Sequence, residues 1–176
     1  AQILAKKGKK VVDMAFAGGL AREDHIFKAI ALGAPFVKLV CMGRATMIPG
    51  FLGSNIEGAL NPEAKEKVNG NWDKLPPSVA EFGTTPDEIF AGYYDVQKKV
   101  GREEMKNIPF GAIAFWTLCD KLAAGVQQLM AGARKFSVKE ISRDDIFSAN
   151  RETERETGIP FITDKGDAAA KKILKS

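Results

Sequence analysis

Between Ile113 and Ala133 apolar side chains recur at positions 115, 118, 122, 126, 129 and 133, while Asp120, Lys121, Gln127 and Gln128 fall off that stripe. The spacing is helical and predicts a long helix with one buried face. A second helical pattern covers 21–32: Glu23 and Asp24 lie in the first turn, apolar residues at 26, 27, 30 and 31, and Gly33 marks the stop. It is flanked by Lys9–Ala17, a short strand pattern ending at Gly18-Gly19, and by the β-branched, mostly apolar run Phe36–Cys41, suited to a buried strand. Strand, helix and strand in this order make one βαβ unit, which implies parallel pairing and a right-handed crossover. Ahead of it, Ala1–Gly8 reads as the last turns of a helix, with lysines before a glycine stop, and so as the opening of a C-terminal piece of something longer.

Beyond Gly43 the pattern becomes helices joined by Pro- and Gly-rich connections. Residues 47–61 contain Pro49, Gly50, Gly53 and Gly58 and read as a loop with short helical pieces. A short helix is expected from Pro62 to Val68, ended by Asn69-Gly70, then an irregular stretch to Gly83. Thr85-Pro86-Asp87-Glu88 is a helix start, with a capping hydroxyl, proline in the first turn and acids facing the dipole. Apolar residues at 89, 93, 96 and 100 extend that helix to Gly101. Ser137–Glu140 and Ser142–Asp145 both have capping-box form and predict two short helical turns, and 164–172 reads as a frayed or helical tail. Three segments result: a βαβ unit at 1–46, an irregular and helical insertion at 47–110, and a helical C-terminal extension at 111–176.

Composition sets the bounds on this picture. The 176 residues suffice for one ordinary domain, but an eight-stranded α/β barrel needs roughly 250. Hydrophobic residues at 45% and charged residues at 27% disfavour disorder and allow a packed core. No apolar run is long enough to span a bilayer, and the N-terminal lysines follow the apolar residues, the reverse of a signal peptide, so a cytoplasmic protein without membrane association is expected. The net charge of +4 comes from the ends: without Lys6, Lys7, Lys9, Lys10, Lys165, Lys171, Lys172, Lys175, Asp164 and Asp167 the chain keeps 18 basic and 20 acidic residues. Neither end interleaves those lysines with aromatic residues, which argues against nucleic acid as a partner. Cys41 and Cys119, each in an apolar stretch, read as buried reduced thiols, and one histidine with no close cysteine pair leaves too few ligands for structural zinc.

Candidate chemistry concentrates at the two strand ends. Gly18-Gly19 ends a strand and precedes a helix whose first amides lack intrahelical partners, where glycine admits close approach and the helix dipole favours an anion. Met42-Gly43-Arg44-Ala45-Thr46 follows the next strand in the same way, with Arg44 available for charge-assisted bonds. Parallel strands bring such turns to one end of a sheet. The plainer reading is a pair of tight βα turns, which two glycine turns in succession make less attractive.

Phe16-Ala-Gly-Gly-Leu20, Asp24, Lys28-Ala-Ile-Ala-Leu-Gly-Ala34 and Met42-Gly-Arg-Ala45 together resemble the last two strands of the FMN-binding (β/α)8 barrel of glutamate synthase. The resemblance resumes from Leu118 to about Asp145, including Leu129-Met-Ala-Gly-Ala133. It implies an α/β fold: strands seven and eight of a TIM barrel followed by a mainly α-helical extension. It also implies that Gly18, Gly19, Met42, Gly43 and Arg44 hold the FMN phosphate. In the complete enzyme the flavin would carry the redox step on a substrate such as 2-iminoglutarate, and this segment would supply phosphate binding and packing without a catalytic acid or base. The implied partners are FMN and the remainder of the barrel, or a second copy covering the open strands. The family carries three cysteines for an iron-sulfur cluster just beyond the phosphate turn. Residues 47–111 contain none, so no cluster ligated by this chain is expected.

Other residues give weaker leads. His25 reads as a solvated side chain in a charged first turn, Asp24 as helix-start electrostatics, and Asp144-Asp145 likewise rather than a metal pair. Trp72, Tyr93, Tyr94 and Trp116 read as packing residues. The rival to a flavoenzyme segment is a non-enzymatic, α-rich binding or assembly module that keeps the βαβ unit for packing. Another phosphate-binding barrel, of the dihydroorotate or inosinate dehydrogenase kind, has no place for the 118–145 segment.

Overall fold

The computed structural model describes residues 1–175, with side chains for all of these except 168 and 169. In chain order it contains α1 (Gln2–Lys6), β1 (Met14–Ala17), α2 (Glu23–Gly33), β2 (Val37–Cys41), α3 (Arg44–Leu60), α4 (Pro77–Ala80), α5 (Pro86–Ile89), α6 (Tyr93–Val100), α7 (Arg102–Met105), α8 (Phe110–Gly132), α9 (Arg151–Thr157) and α10 (Ile162–Ile173). Single 3-10 turns fall at Pro62–Ala64, Val138–Glu140 and Arg143–Asp145. The fold class is mixed α/β, with β1 and β2 as a two-stranded parallel sheet. The chain divides into two compact units, Ala1–Cys41 with Val126–Ser176, and Met42–Gly125.

In the first unit the expected βαβ order is present. Ala15 pairs with Leu39, Phe16 with Val40 and Ala17 with Cys41, after an irregularity between Met14 and Ala15. The first strand is shorter than its pattern suggests, since 9–13 lie outside it. Phe27 and Ala31 of α2 pack with Met130 and Ile141, joined by Ile30, Val126, Ala133 and Ile146. Arg143 fastens this core: its guanidinium donates to the carbonyl of Leu32 at 2.9 Å and to that of Thr157. The buried Ser148 hydroxyl donates to the Ile159 carbonyl at 2.8 Å, and the Ser148 backbone pairs with Pro160 and Ile162. Both capping boxes form as expected, with Ser137 facing Glu140 and Ser142 facing Asp145. The strands themselves stay open: all four residues of β1 are exposed, and of β2 only Val37 is buried. The expectation of a buried second strand is therefore corrected.

The second unit packs Ile56, Phe90, Val96, Met105, Ile113 and Ala114 into one core, with Trp72, Tyr93 and Trp116 against it. Residues 44–60 form a continuous 17-residue helix, although the sequence suggested a loop. Gly53 serves packing there: a Cβ at Gly53 would lie 2.5 Å from the backbone of Gly111, and one at Gly111 would lie 2.9 Å from the carbonyl oxygen of Gly50. Two backbones thus approach at a distance no larger side chain allows. Glu57, one turn on, accepts from the Phe110 amide at 2.9 Å and so satisfies one unpaired donor at the start of α8. The single helix expected over 86–100 is two helices, because Phe90 leaves helical geometry to enter the core and Gly92 starts a new turn.

Helix α8 exists nearly as read, but its buried face is displaced by one residue at both ends. Ala114, Leu122 and Met130 are buried, whereas Phe115 and Leu129 are exposed. A shift of one position rotates a helical stripe by about 100°, so the expected stripe passed beside Ile113, Ala114 and Met130, all of which are buried. Cys41 and Cys119 are free and exposed, which corrects their assignment as buried thiols. Tyr94 is also exposed and donates to Asp87 at 2.9 Å, unlike the three packed aromatic residues.

Two contrasts test this packing in thermal or denaturant unfolding. Gly53→Ala should destabilise by about 1–3 kcal/mol through overpacking, while Gly50→Ala, whose Cβ would meet open space, should be neutral or gain up to about 1 kcal/mol of helix propensity. Equal effects at the two positions would remove the backbone crossing as the reason for Gly53. Leu122→Ala should cost about 2–5 kcal/mol and Leu129→Ala less than about 1 kcal/mol, because a partly exposed side chain leaves little cavity. The reverse order would restore the stripe read from sequence.

Candidate phosphate-binding turns

The pairing of Ala17 with Cys41 aligns the carboxyl ends of the two strands, after which the chain continues into Gly18 and into Met42. After β1 the backbone takes positive φ at Gly18 (110°) and Gly19 (69°), a conformation that requires glycine in practice. Two residues of this kind turn the strand towards α2. The amide of Ala21 donates to His25 Nδ1 at 3.2 Å, so His25 is a half-buried acceptor that orders the helix entry, a role its reading as a solvated residue missed.

The first turn of α2 carries a compact ion cluster. Asp24 lies 3.1 Å from Arg22 Nε and 2.8 Å from Lys28 Nζ. The hydrogen bond from Lys28 is the largest cause and, with that from Arg22 and the charges of both, outweighs the opposing desolvation and lowers its pKa from 3.8 to about 2. Asp24 thus stays charged throughout the neutral range, and the three side chains together carry one surplus positive charge. The expected role of Asp24 in helix-start electrostatics agrees with this geometry.

After β2 the chain passes through Met42 and Gly43 into α3, with Gly43 as its N-cap and the exposed Arg44 as its first residue. Gly43 has a negative φ of −99°, and a Cβ there would meet nothing within 4 Å, so neither backbone strain nor packing inside the chain demands glycine. Thr46 fixes this turn: its hydroxyl lies 2.7 Å from the Gly43 carbonyl and 3.2 Å from that of Met42 and donates between them. No acid occupies the first turn of α3, which leaves the helix dipole uncompensated by side chains there.

Other features of the described residues are less suited to chemistry. Asp145 accepts from the Ser142 amide at 2.8 Å and faces Lys135 at 3.6 Å, and among the described residues no group of three metal-ligating side chains gathers. A groove of about 540 Å³ in the first unit is lined by Phe27, Leu129, Ile146, Phe147 and Ile159, with the paired Asp24 and Lys28 beside them. Trp116 Nε1 is buried without a hydrogen-bond partner, and Lys99 lies 5.1 Å from the centre of its ring. No helix among the described residues is long and apolar enough to cross a membrane.

Comparison with known protein families, curated proteins and solved structures finds no match to this chain.

The ion cluster generates a pH prediction. A carboxyl group depressed on folding contributes stability that is complete above its unfolded value of 3.8 and lost as pH falls through about 2. In an NMR titration the Asp24 carboxyl should titrate near 2, and Lys28→Ala should return it towards 3.8. An Asp24 that titrates at its ordinary value in the parent protein would contradict the assigned pairing.

Proposed function

We propose that this chain supplies the FMN phosphate-binding end of a cytoplasmic, flavin-dependent oxidoreductase of the glutamate synthase type. In this reading β1 and β2 are strands seven and eight of a (β/α)8 barrel, and the elements from α3 onward are its helical extension. The supporting observation is the parallel pair, aligned from Ala15–Leu39 to Ala17–Cys41, whose two exits are both glycine turns leading into helices. Amides of Gly18, Gly19, Gly43 and Arg44 would donate to the phosphate, Met42 would lie along it, and the Arg44 guanidinium would add a charge-assisted bond. Gly43 fits this role because nothing inside the chain requires its missing side chain. The Arg22–Asp24–Lys28 cluster leaves a net positive field beside an anion rather than a bare carboxylate.

The flavin supplies hydride chemistry when bound, and the residues of this chain hold and orient its phosphate. The residues assigned here include no acid or base near a reacting atom, so turnover belongs to the assembled barrel. The exposed strands agree with that division, since parallel sheets are ordinarily covered on both faces. The rival, an α-rich assembly module without a cofactor, shares the open strands but gives the glycine turns no ligand.

Titration of the 15N-labelled chain with FMN, and separately with inorganic phosphate, discriminates the two. The flavin reading expects saturable shifts of the Gly18, Gly19, Gly43 and Arg44 amides together, and at least roughly tenfold weaker binding for Arg44→Ala, the scale of a lost charged hydrogen bond. FMN that leaves all four amides unmoved would favour the assembly module.

A further inference from the structure

We infer that Asn69 is a site of spontaneous deamidation that the fold holds shut, and that its conversion is a one-way record of local opening around residues 65–71. The inference is independent of flavin binding. Asn55, Asn61, Asn71, Asn107 and Asn150 precede isoleucine, proline, tryptophan, isoleucine and arginine, and only Asn69 precedes glycine. A glycine amide has no side chain to hinder its attack on the asparagine before it. In that reaction the Gly70 nitrogen loses its proton to solvent and bonds to the side-chain carbonyl carbon of Asn69. The side-chain nitrogen takes up a proton and leaves as ammonia, and water then opens the succinimide at either carbonyl to give aspartate or isoaspartate.

Two separate structural demands place this pair here. Asn69 ends the short helical run that begins at Pro62, with φ at 54°, a left-handed conformation that asparagine tolerates better than most residues with a side chain. Its amide donates to the Glu66 carbonyl at 3.2 Å, and the Gly70 amide donates to the Lys65 carbonyl at 2.9 Å. These are the two bonds of a Schellman helix end, with Asn69 at its left-handed position. Gly70 is needed for a different reason, because a Cβ there would lie 2.8 Å from the Ser54 carbonyl oxygen and 3.1 Å from the Cα of Gly58, both in α3. The following amide, of Asn71, donates to Asn55 Oδ1 at 2.7 Å and fastens the turn to the same helix.

The contacts that select the pair also suppress its chemistry. Asn69 is exposed and water reaches it, but the attacking nitrogen belongs to the buried Gly70 and its proton is held by the Lys65 carbonyl. Ring closure therefore requires the turn to open first. The path back is blocked, since isoaspartate lengthens the backbone by a methylene and Gly70 has no room to shift against Ser54 and Gly58.

Peptide mass mapping with isoaspartate detection, after incubation in native buffer and in denaturant, tests the inference. Position 69 should convert ahead of the other asparagines in denaturant, and at least about tenfold more slowly in native buffer, the factor supplied by one hydrogen bond of ordinary net strength. Asn55→Ala removes the acceptor of the Asn71 amide and leaves residues 69 and 70 intact. It should raise hydrogen exchange at the Gly70 amide and native deamidation by the same factor, with the denatured rate unchanged. A series of low denaturant concentrations on the parent protein gives the same comparison without a substitution, and the two rates should rise together. Protein carrying isoaspartate at 69, separated by ion exchange, should melt at a lower temperature than the parent. Equal rates in the two buffers, earlier conversion at another asparagine, Gly70 exchange that accelerates without deamidation, or an unchanged melting temperature of the converted protein would each overturn the proposal.

Discussion

Two strands that run parallel cannot be joined by a tight turn, and the arrangement of β1, α2 and β2 follows from this. The chain must travel back along the sheet between Ala17 and Val37, and α2 provides the return. That return fixes both carboxyl ends at one end of the pair and makes each exit a strand-to-helix turn. It also leaves the pair incomplete. Apart from Val37 the strands themselves stay exposed, while the packed clusters are formed by helices, by Phe27 of α2 with Met130 and Ile141 and, in the other unit, around Ile56 and Ile113.

Electrostatics and backbone geometry divide the work at the turns. Positive φ at Gly18 and Gly19 is a conformational requirement of the chain itself. Gly43 is different, because its backbone is ordinary and the space beside it is open. A small residue that neither strain nor packing explains is where room for a ligand enters the account. Thr46 holds that turn through two carbonyls, and the ion cluster at Asp24 keeps a first-turn acid from opposing an anion.

Much of the fold was legible because its signals were local. The βαβ order, the capping boxes at Ser137 and Ser142, and the long helix near 110–132 each follow from spacing within a few residues. What the sequence concealed depends on distant contacts. Gly53 and Gly58 read as loop residues until Gly111 is placed against Gly53 and Gly70 against Gly58, which shows that these two glycines admit a neighbouring backbone against a regular helix. Phe90 interrupts an otherwise helical pattern for a core that sequence alone does not display. The face of α8 is displaced because apolar residues sit on both sides of the expected stripe and only tertiary contacts select Ile113, Ala114 and Met130, and the cysteines have apolar neighbours although both reach solvent. At the candidate site the glycine turns and Arg44 were visible as residue types, while the roles of His25 and Thr46 emerged from hydrogen bonds alone.

The central claim is that both glycine turns serve one phosphate. Crystals of the chain soaked with FMN test it most directly. The account predicts phosphate density within about 3 Å of amides from both turns, the ordinary hydrogen-bond distance. Turns more than about 12 Å apart could not share one phosphate and its hydrogen bonds, and that separation, or flavin density confined to other parts of the chain, would contradict it.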